Sequence, residues 1–307
     1  MKVTVKDPYE QTIADKKIRA IWDLVRPFTL VAPLIGGGLA ALMGLAATDR
    51  WSELNLFKLV FGCVTLAILN GASNAFNQWS DVEIDEINKP YRPIPRGILG
   101  RPEVFWISVV LYVIALRAFW INWTFFGIVA VLIFLTIIYS AGPRLKDKLF
   151  LNNFAIAFAR GGLGLAAGWS IFTDVRDWRL VAMCIVLTVF LMGATTLKDL
   201  SDVKGDRKFG CMTLPVALGT QVAIGLMIPF SLLASIMCFY FEVIGVLHWL
   251  AGILATYYFV TTLIVVDLSI RLGCKDSKNT ENSWQWLYMY GSIAVTYVMF
   301  FIMIILS

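Results

Sequence analysis

Residues 56–85 read LFKLVFGCVTLAILNGASNAFNQWSDVEID, an apolar run that closes on Asn77, Asp81 and Asp85. A bilayer core needs about 20 apolar helical residues, so 56–79 is expected to span a membrane. Positions i, i+4 and i+8 drift by only about 40° per step on an α-helix. The amide and the two carboxylates are therefore predicted to share one face at the end of that span. A second apolar run closes on Lys198-Asp199-Leu-Ser-Asp202-Val-Lys-Gly-Asp206. Ser-Asp-Val-x-x-Asp occurs in both, which aligns Asp81 with Asp202 and Asp85 with Asp206, 121 residues apart.

The rest of the chain sets these acids in an apolar background. Of 307 residues, 59% are hydrophobic and 15% charged, and the mean hydropathy is +0.74. Soluble domains average roughly 45–50% apolar and about 25% charged. The composition indicates an all-α polytopic membrane protein. Nine transmembrane helices are predicted, near 28–47, 56–79, 104–121, 125–141, 150–172, 180–197, 222–241, 247–270 and 286–306. The first 25 residues are polar and charged, so the earliest apolar stretch reads as a true span rather than a cleavable signal. No loop is long enough for a separate domain, and 1–307 is expected to form a single membrane domain. The duplicated motif divides it into two four-helix halves plus a ninth helix. Glycine clusters at 36–38 and 161–164 fall at matching places in the halves. They are expected either to let helices approach closely or to form the wall of a cavity for a thin apolar ligand.

Charge distribution predicts orientation. Loops on the N-terminal side of the membrane, with the N-terminal arm, hold 20 of the 26 Lys and Arg, while the opposite loops hold only Arg50, Arg176 and Arg179. By the positive-inside rule the protein lies in the cell membrane with its N-terminus and both acidic motifs cytoplasmic. The net charge of +5 then reflects topology and anionic headgroups, and no nucleic-acid partner is implied. Five cysteines without a CxxC pair suggest neither a disulfide framework nor a thiolate metal site. The single histidine, His248, excludes imidazole-based zinc or di-iron chemistry, which needs several such ligands.

Carboxylates at the C-terminal end of a helix oppose its macrodipole, so a bound cation is expected to hold them there. Oxygen-only donors point to Mg²⁺, which keeps water and commonly binds through one or two carboxylates plus substrate phosphates. Two facing clusters would clamp a diphosphate between two metal ions. Basic segments follow: Asn88-Lys89-Pro-Tyr-Arg92-Pro-Ile-Pro-Arg96-Gly97 after the first motif, and Tyr139-Ser140-Ala-Gly-Pro-Arg144-Leu-Lys146 after the fourth span. Each base serves either as a membrane-side anchor or as a neutraliser of leaving-group charge. Arg160 lies inside the fifth span, and an intramembrane arginine is a functional candidate by default.

These motifs resemble the NxxxDxxxD and DxxxD motifs of the UbiA superfamily of intramembrane prenyltransferases. The segments Ile-Asn-Lys-Pro-x-Arg-Pro-Ile-Pro-x-Gly, Tyr-Ser-x-x-Pro-Arg-Leu-Lys and Gly-Asp-Arg-x-x-Gly-x-x-Thr-Leu-Pro are similar as well. The resemblance implies nine helices around a central cavity open sideways to lipid. It also implies Mg²⁺-dependent transfer of an isoprenyl chain, geranylgeranyl-sized, from its diphosphate to a lipophilic acceptor. By position, Asn77, Asp81, Asp85, Asp202 and Asp206 would hold the metal–diphosphate, with Asp199 beside them. Arg144 and Lys146 would contact the diphosphate, with Arg92 and Arg96 also placed there. The second half departs at Lys198, which stands where the first has Asn77; Lys198 either meets phosphate or pairs with Asp199.

The chemistry expected is electrophilic alkylation, with Asp81 and Asp202 at its centre. The allylic C–O bond breaks as diphosphate leaves, and an apolar pocket keeps water from the cation. Tyr139 either steadies that cation with its ring face or serves as an interfacial tyrosine. The acceptor stays open between a digeranylgeranylglyceryl phosphate synthase reaction and prenylation of a quinone precursor or chlorophyllide. From another class, a cation transporter would place its acids near the midplane on broken helices. These acids instead end spans, beside Arg-rich loops.

Overall fold

The computed structural model describes residues 13–272 and 284–307; Lys2, Lys6, Lys275 and Lys278, counted among the bases of one face, and Cys274 lie outside them. The helices are α1 (Ile13–Val25), α2 (Pro27–Ala47), α3 (Leu56–Ser80), α4 (Val82–Asn88), α5 (Arg101–Ala115), α6 (Trp123–Ser140), α7 (Leu151–Ala157), α8 (Gly164–Trp169), α9 (Trp178–Ala194), α10 (Val203–Lys208), α11 (Leu214–Leu218), α12 (Thr220–Gly225), α13 (Met227–Val243), α14 (Ala251–Leu272) and α15 (Trp284–Ile305). No strand occurs among the described residues. Lipid-facing side chains are apolar and exposed, among them Trp106, Val113, Phe134, Ile236 and Val243.

Eight helical stretches among the described residues are long and apolar enough to cross a membrane, one fewer than expected. The missing one is 150–172. It is helical from 151 to 169, but a π turn at Phe158–Leu163 separates α7 from α8. Gly161 in that turn lies so close to α9 that a Cβ would stand 2.8 Å from the Thr188 amide nitrogen. The wider turn accommodates this contact, and such turns recur at functional sites.

Two large apolar cores form among the described residues, with two smaller clusters beside them. Leu66, Leu69, Phe76, Tyr112, Phe125 and Leu132 unite α3, α5 and α6. Val186, Phe190, Leu254, Tyr258, Ile293 and Phe300 unite α9, α14 and α15, with the Phe190 and Tyr258 rings stacked 4.0 Å apart. Within the second core, Ser231 and Ser235 of α13 donate to the Tyr258 and Ala255 carbonyls of α14, each at 2.8 Å. Such small polar contacts bind membrane helices where lipid supplies no hydrophobic drive. Between the cores run α2 and α8, crossing where a Cβ on Gly168 would meet the Gly37 carbonyl oxygen at 2.7 Å. Both readings of the glycine clusters find support: Gly37 and Gly161 are closely approached by neighbouring helices, and Gly37 and Gly164 line a cavity.

α1 meets α2 at Arg26, whose φ of 56° turns the chain. The carbonyls freed at this joint are taken up by α3: Gln78 donates to Leu24 O and Asn74 to Val25 O, both at 2.8 Å. One polar face of α3 thereby fixes the arm of the chain against the bundle.

The duplicated motif is also a duplicated backbone. α3 ends at Ser80, and Asp81 (φ −108°, ψ 18°) starts α4. The 3₁₀ turns Thr195–Ser201 that extend α9 end at Asp202 (φ −101°, ψ −1°), which starts α10. Beyond them, Gly97 and Gly219 both take positive φ, 69° and 81°, a conformation glycine adopts without strain. The acids therefore do not lie along one uninterrupted helix face. Each motif bends at its first aspartate, and Asp85 and Asp206 stand in the first turn of a new short helix, where the dipole favours them.

Candidate active site

α4 and α10 meet at one end of the bundle through Asn88. Its amide nitrogen donates to the Asp202 carbonyl at 2.8 Å, and its oxygen accepts from Gly205 N at 2.8 Å. Gly205 is required by this contact, since a Cβ there would lie 2.6 Å from the Asn88 amide. The staple brings the two acidic motifs to the mouth of one cavity of about 270 Å³.

Six carboxylates line that cavity, Asp81, Asp85, Asp147, Asp199, Asp202 and Asp206, with six bases, Arg26, Lys89, Arg92, Lys146, Arg160 and Lys198. Most of the acids are paired. Asp81 accepts from Lys146 through Oδ1, from Arg144 Nη2 at 3.2 Å, and from the Asn77 amide at 3.0 Å. Arg92 donates to Asp85 at 2.7 Å, both side chains buried. Lys89 Nζ lies 2.6 Å from each oxygen of Asp202. Lys198 pairs with Asp199. Asn152 ties this last pair together: it donates to Asp199 at 2.7 Å and accepts from Lys198 at 3.0 Å and from Tyr139 Oη at 2.8 Å.

Asp206 differs. Among the described residues it meets no base; Thr213 Oγ1 donates to it at 3.3 Å. Burial, then the charges of Asp202 and Asp199, push its carboxyl up to about 7. Burial raises Asp85 as well, against the pull of Arg92. For Asp202, burial pushes upward, but Lys89, Arg92 and Ser201 together hold the carboxyl below its usual value. Burial lowers Lys146, and Asp81 opposes this. Asp81 and Asp85 of the first motif, and Asp199 and Asp202 of the second, each meet a base, so Asp206 is the carboxyl of the two motifs without one among the described residues.

No three Asp, Glu, His or Cys side chains among the described residues come close enough to hold an ion alone. An oxygen-rich site of this kind suits a hard divalent cation whose coordination a phosphate completes.

Of the residues expected here, Asn77, Asp81, Asp85, Arg92, Tyr139, Lys146, Lys198, Asp199, Asp202 and Asp206 line the cavity. Arg144 reaches Asp81 from the rim. Arg96 is a correction: it is exposed and off the cavity wall, because the turn that ends at Gly97 carries it away from the buried Arg92. The mismatch of Asn77 with Lys198 also resolves. In 3₁₀ turns i and i+3 eclipse, so Asp199, rather than Lys198, stacks over Asp202. Sequence reasoning missed Asn152 and Asp147, lone residues without a pattern, and left Lys89 between membrane-side anchor and neutraliser of leaving-group charge without naming it as a site residue.

Apolar side chains share the lining, among them Leu66, Leu69, Leu132, Leu135, Ile156 and Ala159, beside polar Asn70, Asn74 and Thr136. A cavity with both charged and apolar lining matches an amphiphile with an anionic head and a hydrocarbon tail. Residues 32–293 match the UbiA prenyltransferase family. The chain belongs to that family. It is an integral membrane prenyltransferase, which sets aside the cation transporter. A digeranylgeranylglyceryl phosphate synthase of Pyrococcus horikoshii is 31% identical over 84% of this chain and 86% of its own length. A chloroplast chlorophyll synthase of Arabidopsis thaliana is 30% identical over 65% of this chain and 54% of its own. The fold is that of a UbiA homologue from Archaeoglobus fulgidus solved with GPP and Mg²⁺ (20% identity, 95% of this chain, 100% of the other, TM-score 0.73).

Proposed function

We propose that the two acidic motifs form one metal–diphosphate site for an isoprenyl donor, geranylgeranyl-sized, whose chain passes to a lipophilic acceptor within the membrane. The observation that carries this is the meeting of both motifs, with their bases, at the mouth of a single cavity. Asn77, Asp81 and Asp85 on one side and Asp199, Asp202 and Asp206 on the other would hold two Mg²⁺ together with phosphate oxygens. The metal supplies positive charge that weakens the bond to the leaving diphosphate.

The chain's own groups do the rest. Lys89, Lys146 and Lys198 each sit on a carboxylate; with those carboxylates engaged by metal, the ammonium groups would be free to meet phosphate oxygens. Arg92 and Arg144 add charge-assisted hydrogen bonds. The allylic carbon–oxygen bond breaks, diphosphate departs with the electron pair, and the acceptor nucleophile bonds to that carbon and loses its proton. Tyr139 lines the cavity beside this end, and its hydroxyl is held by Asn152, so its ring is positioned to steady developing positive charge. The leucine and isoleucine wall takes the chain and excludes water. The excess of Lys and Arg in loops at this end supports a cytoplasmic mouth.

Asp81→Ala and Asp202→Ala test the site. Each is expected to abolish Mg²⁺-dependent turnover of geranylgeranyl diphosphate in detergent while helicity is kept. Normal turnover in either variant would refute the two-motif site.

A further inference from the structure

Asn152 is a neutral side chain set among charges, 1% exposed, in the first turn of α7. Its Oδ1 accepts from Tyr139 Oη at 2.8 Å and from Lys198 Nζ at 3.0 Å, and its Nδ2 donates to Asp199 Oδ2 at 2.7 Å. Chemistry fixes the orientation of this amide. An ammonium group only donates and an ionised carboxylate only accepts, so the oxygen faces Lys198 and the nitrogen faces Asp199. Tyr139 meets the oxygen side, and its hydroxyl proton is therefore spent on Asn152. The next residue holds backbone. Asn153, equally buried, donates to Met192 O at 3.2 Å and to the hydroxyls of Thr195 and Thr196 at 3.1 and 3.0 Å. One amide of α7 thus grips the start of the 3₁₀ turns, and the other grips the Lys198 and Asp199 side chains that those turns carry.

These contacts join two parts of the site that lie far apart in the chain. Tyr139 near the end of α6 is the aromatic ring set beside the reacting carbon, and Lys198 and Asp199 belong to the metal–diphosphate end. All three line the cavity together with Asn152. A water molecule in place of the Asn152 amide would find the same partners, accepting from Tyr139 and Lys198 and donating to Asp199. A buried water needs a polar pocket of about its own size and two to four such partners. Truncating Asn152 to alanine would create that pocket beside Tyr139. The native amide makes the hydrogen bonds such a water would make, and keeps the water out.

We propose that Asn152 is a positioning residue that fixes the Tyr139 ring and bars water from the allylic carbon, so that the site favours transfer over hydrolysis of the donor. This rests on the prenyl-transfer reading and deepens it. In the competing reaction the donor's allylic carbon–oxygen bond breaks and diphosphate leaves with the electron pair. The oxygen of water bonds to that carbon, and its surplus proton passes to the departing diphosphate. The product is then the free prenyl alcohol. Asn152 acts against this route through Tyr139, Lys198 and Asp199.

The test uses the full-length protein with saturating geranylgeranyl diphosphate and Mg²⁺, no acceptor, and release of geranylgeraniol as the readout. Asn152→Ala is expected to release the alcohol about fivefold or more faster than the wild type, a gain that general loss of structure does not produce. Asn152→Ser opens a smaller pocket and should show a smaller gain, which keeps the test available if the alanine variant does not fold. Asn152→Asp fills the space and still accepts from Tyr139 and Lys198. It should release alcohol at close to the wild-type rate while raising donor KM, because a second carboxylate then faces Asp199. Donor binding without faster alcohol release in either Asn152→Ala or Asn152→Ser would overturn the water-excluding role. Fluorine NMR of the donor-free protein carrying fluorotyrosine at position 139 reads the positioning separately from the reaction. A signal that shifts and broadens in Asn152→Ala, beside a wild type that binds no geranylgeranyl diphosphate, would support the positioning and refute the prenyl-transfer reading. An unchanged signal would overturn the positioning whatever the turnover.

Discussion

Asp206 concentrates the electrostatics of the site in one residue. Its carboxyl, pushed up to about 7 by burial and the neighbouring Asp202 and Asp199 charges, holds a proton in the folded protein that an unfolded chain releases near pH 4. Between those values the folded state binds more protons, so raising the pH removes stability. In chelator, the melting temperature is therefore expected to fall by a few degrees from about pH 5.5 to pH 7.5, and Asp206→Asn should flatten that slope. A melting curve that rises over the same range would contradict the assignment. Asp81 and Asp202 were legible as site residues from spacing alone. Their partners were not. Lys89 looked like any membrane-side base until the fold laid it on Asp202, and Asn152 carries no pattern that marks it as the hub of Tyr139, Lys198 and Asp199. Such pairings join residues far apart in the chain, and helical periodicity carries no signal for them.

Short helices bring the two motifs together, and the long helices α3 and α6 add Asn77 and Tyr139. α4 and α10 are joined by Asn88, whose side chain closes on Gly205. Asn88→Ala removes both hydrogen bonds, and Gly205→Ala places a methyl group where the Asn88 amide now sits. Each is expected to raise KM for the isoprenyl diphosphate about tenfold and lower the melting temperature by about 2–4 °C, which donor titration and a thermal shift assay would measure. An unchanged donor KM in both would mean that the staple does not register the motifs. Span positions were legible because an apolar run of bilayer length has few alternatives. The break at each first aspartate was not, since i, i+4 spacing reads the same whether the helix continues or restarts. Nor was the π turn, which depends on α9 approaching Gly161, a tertiary contact.

Across the whole molecule, two apolar cores separated by α2 and α8 leave a cavity whose charged mouth gathers α4, α10 and the loop that carries Lys146. The half-and-half division read from the duplicated motif reflects this arrangement, although α2 and α8 contribute to both cores. The proposed sidedness rests on the excess of Lys and Arg in the loops of one face. Cysteines placed at the exposed positions Lys208 and Arg176 are expected to label from opposite faces of oriented membrane vesicles, with Lys208→Cys reached from the cytoplasmic side. Labelling of both from one face would overturn that topology. The union of the motifs is tested most directly by calorimetric titration of geranylgeranyl diphosphate in the presence of Mg²⁺ into the wild type, Asp81→Asn, Asp202→Asn and the double variant. A site built jointly by both motifs predicts that each single change costs about a hundredfold or more in affinity and that the double change costs little beyond either one. Wild-type affinity in one of the single variants, or losses that simply add, would contradict it.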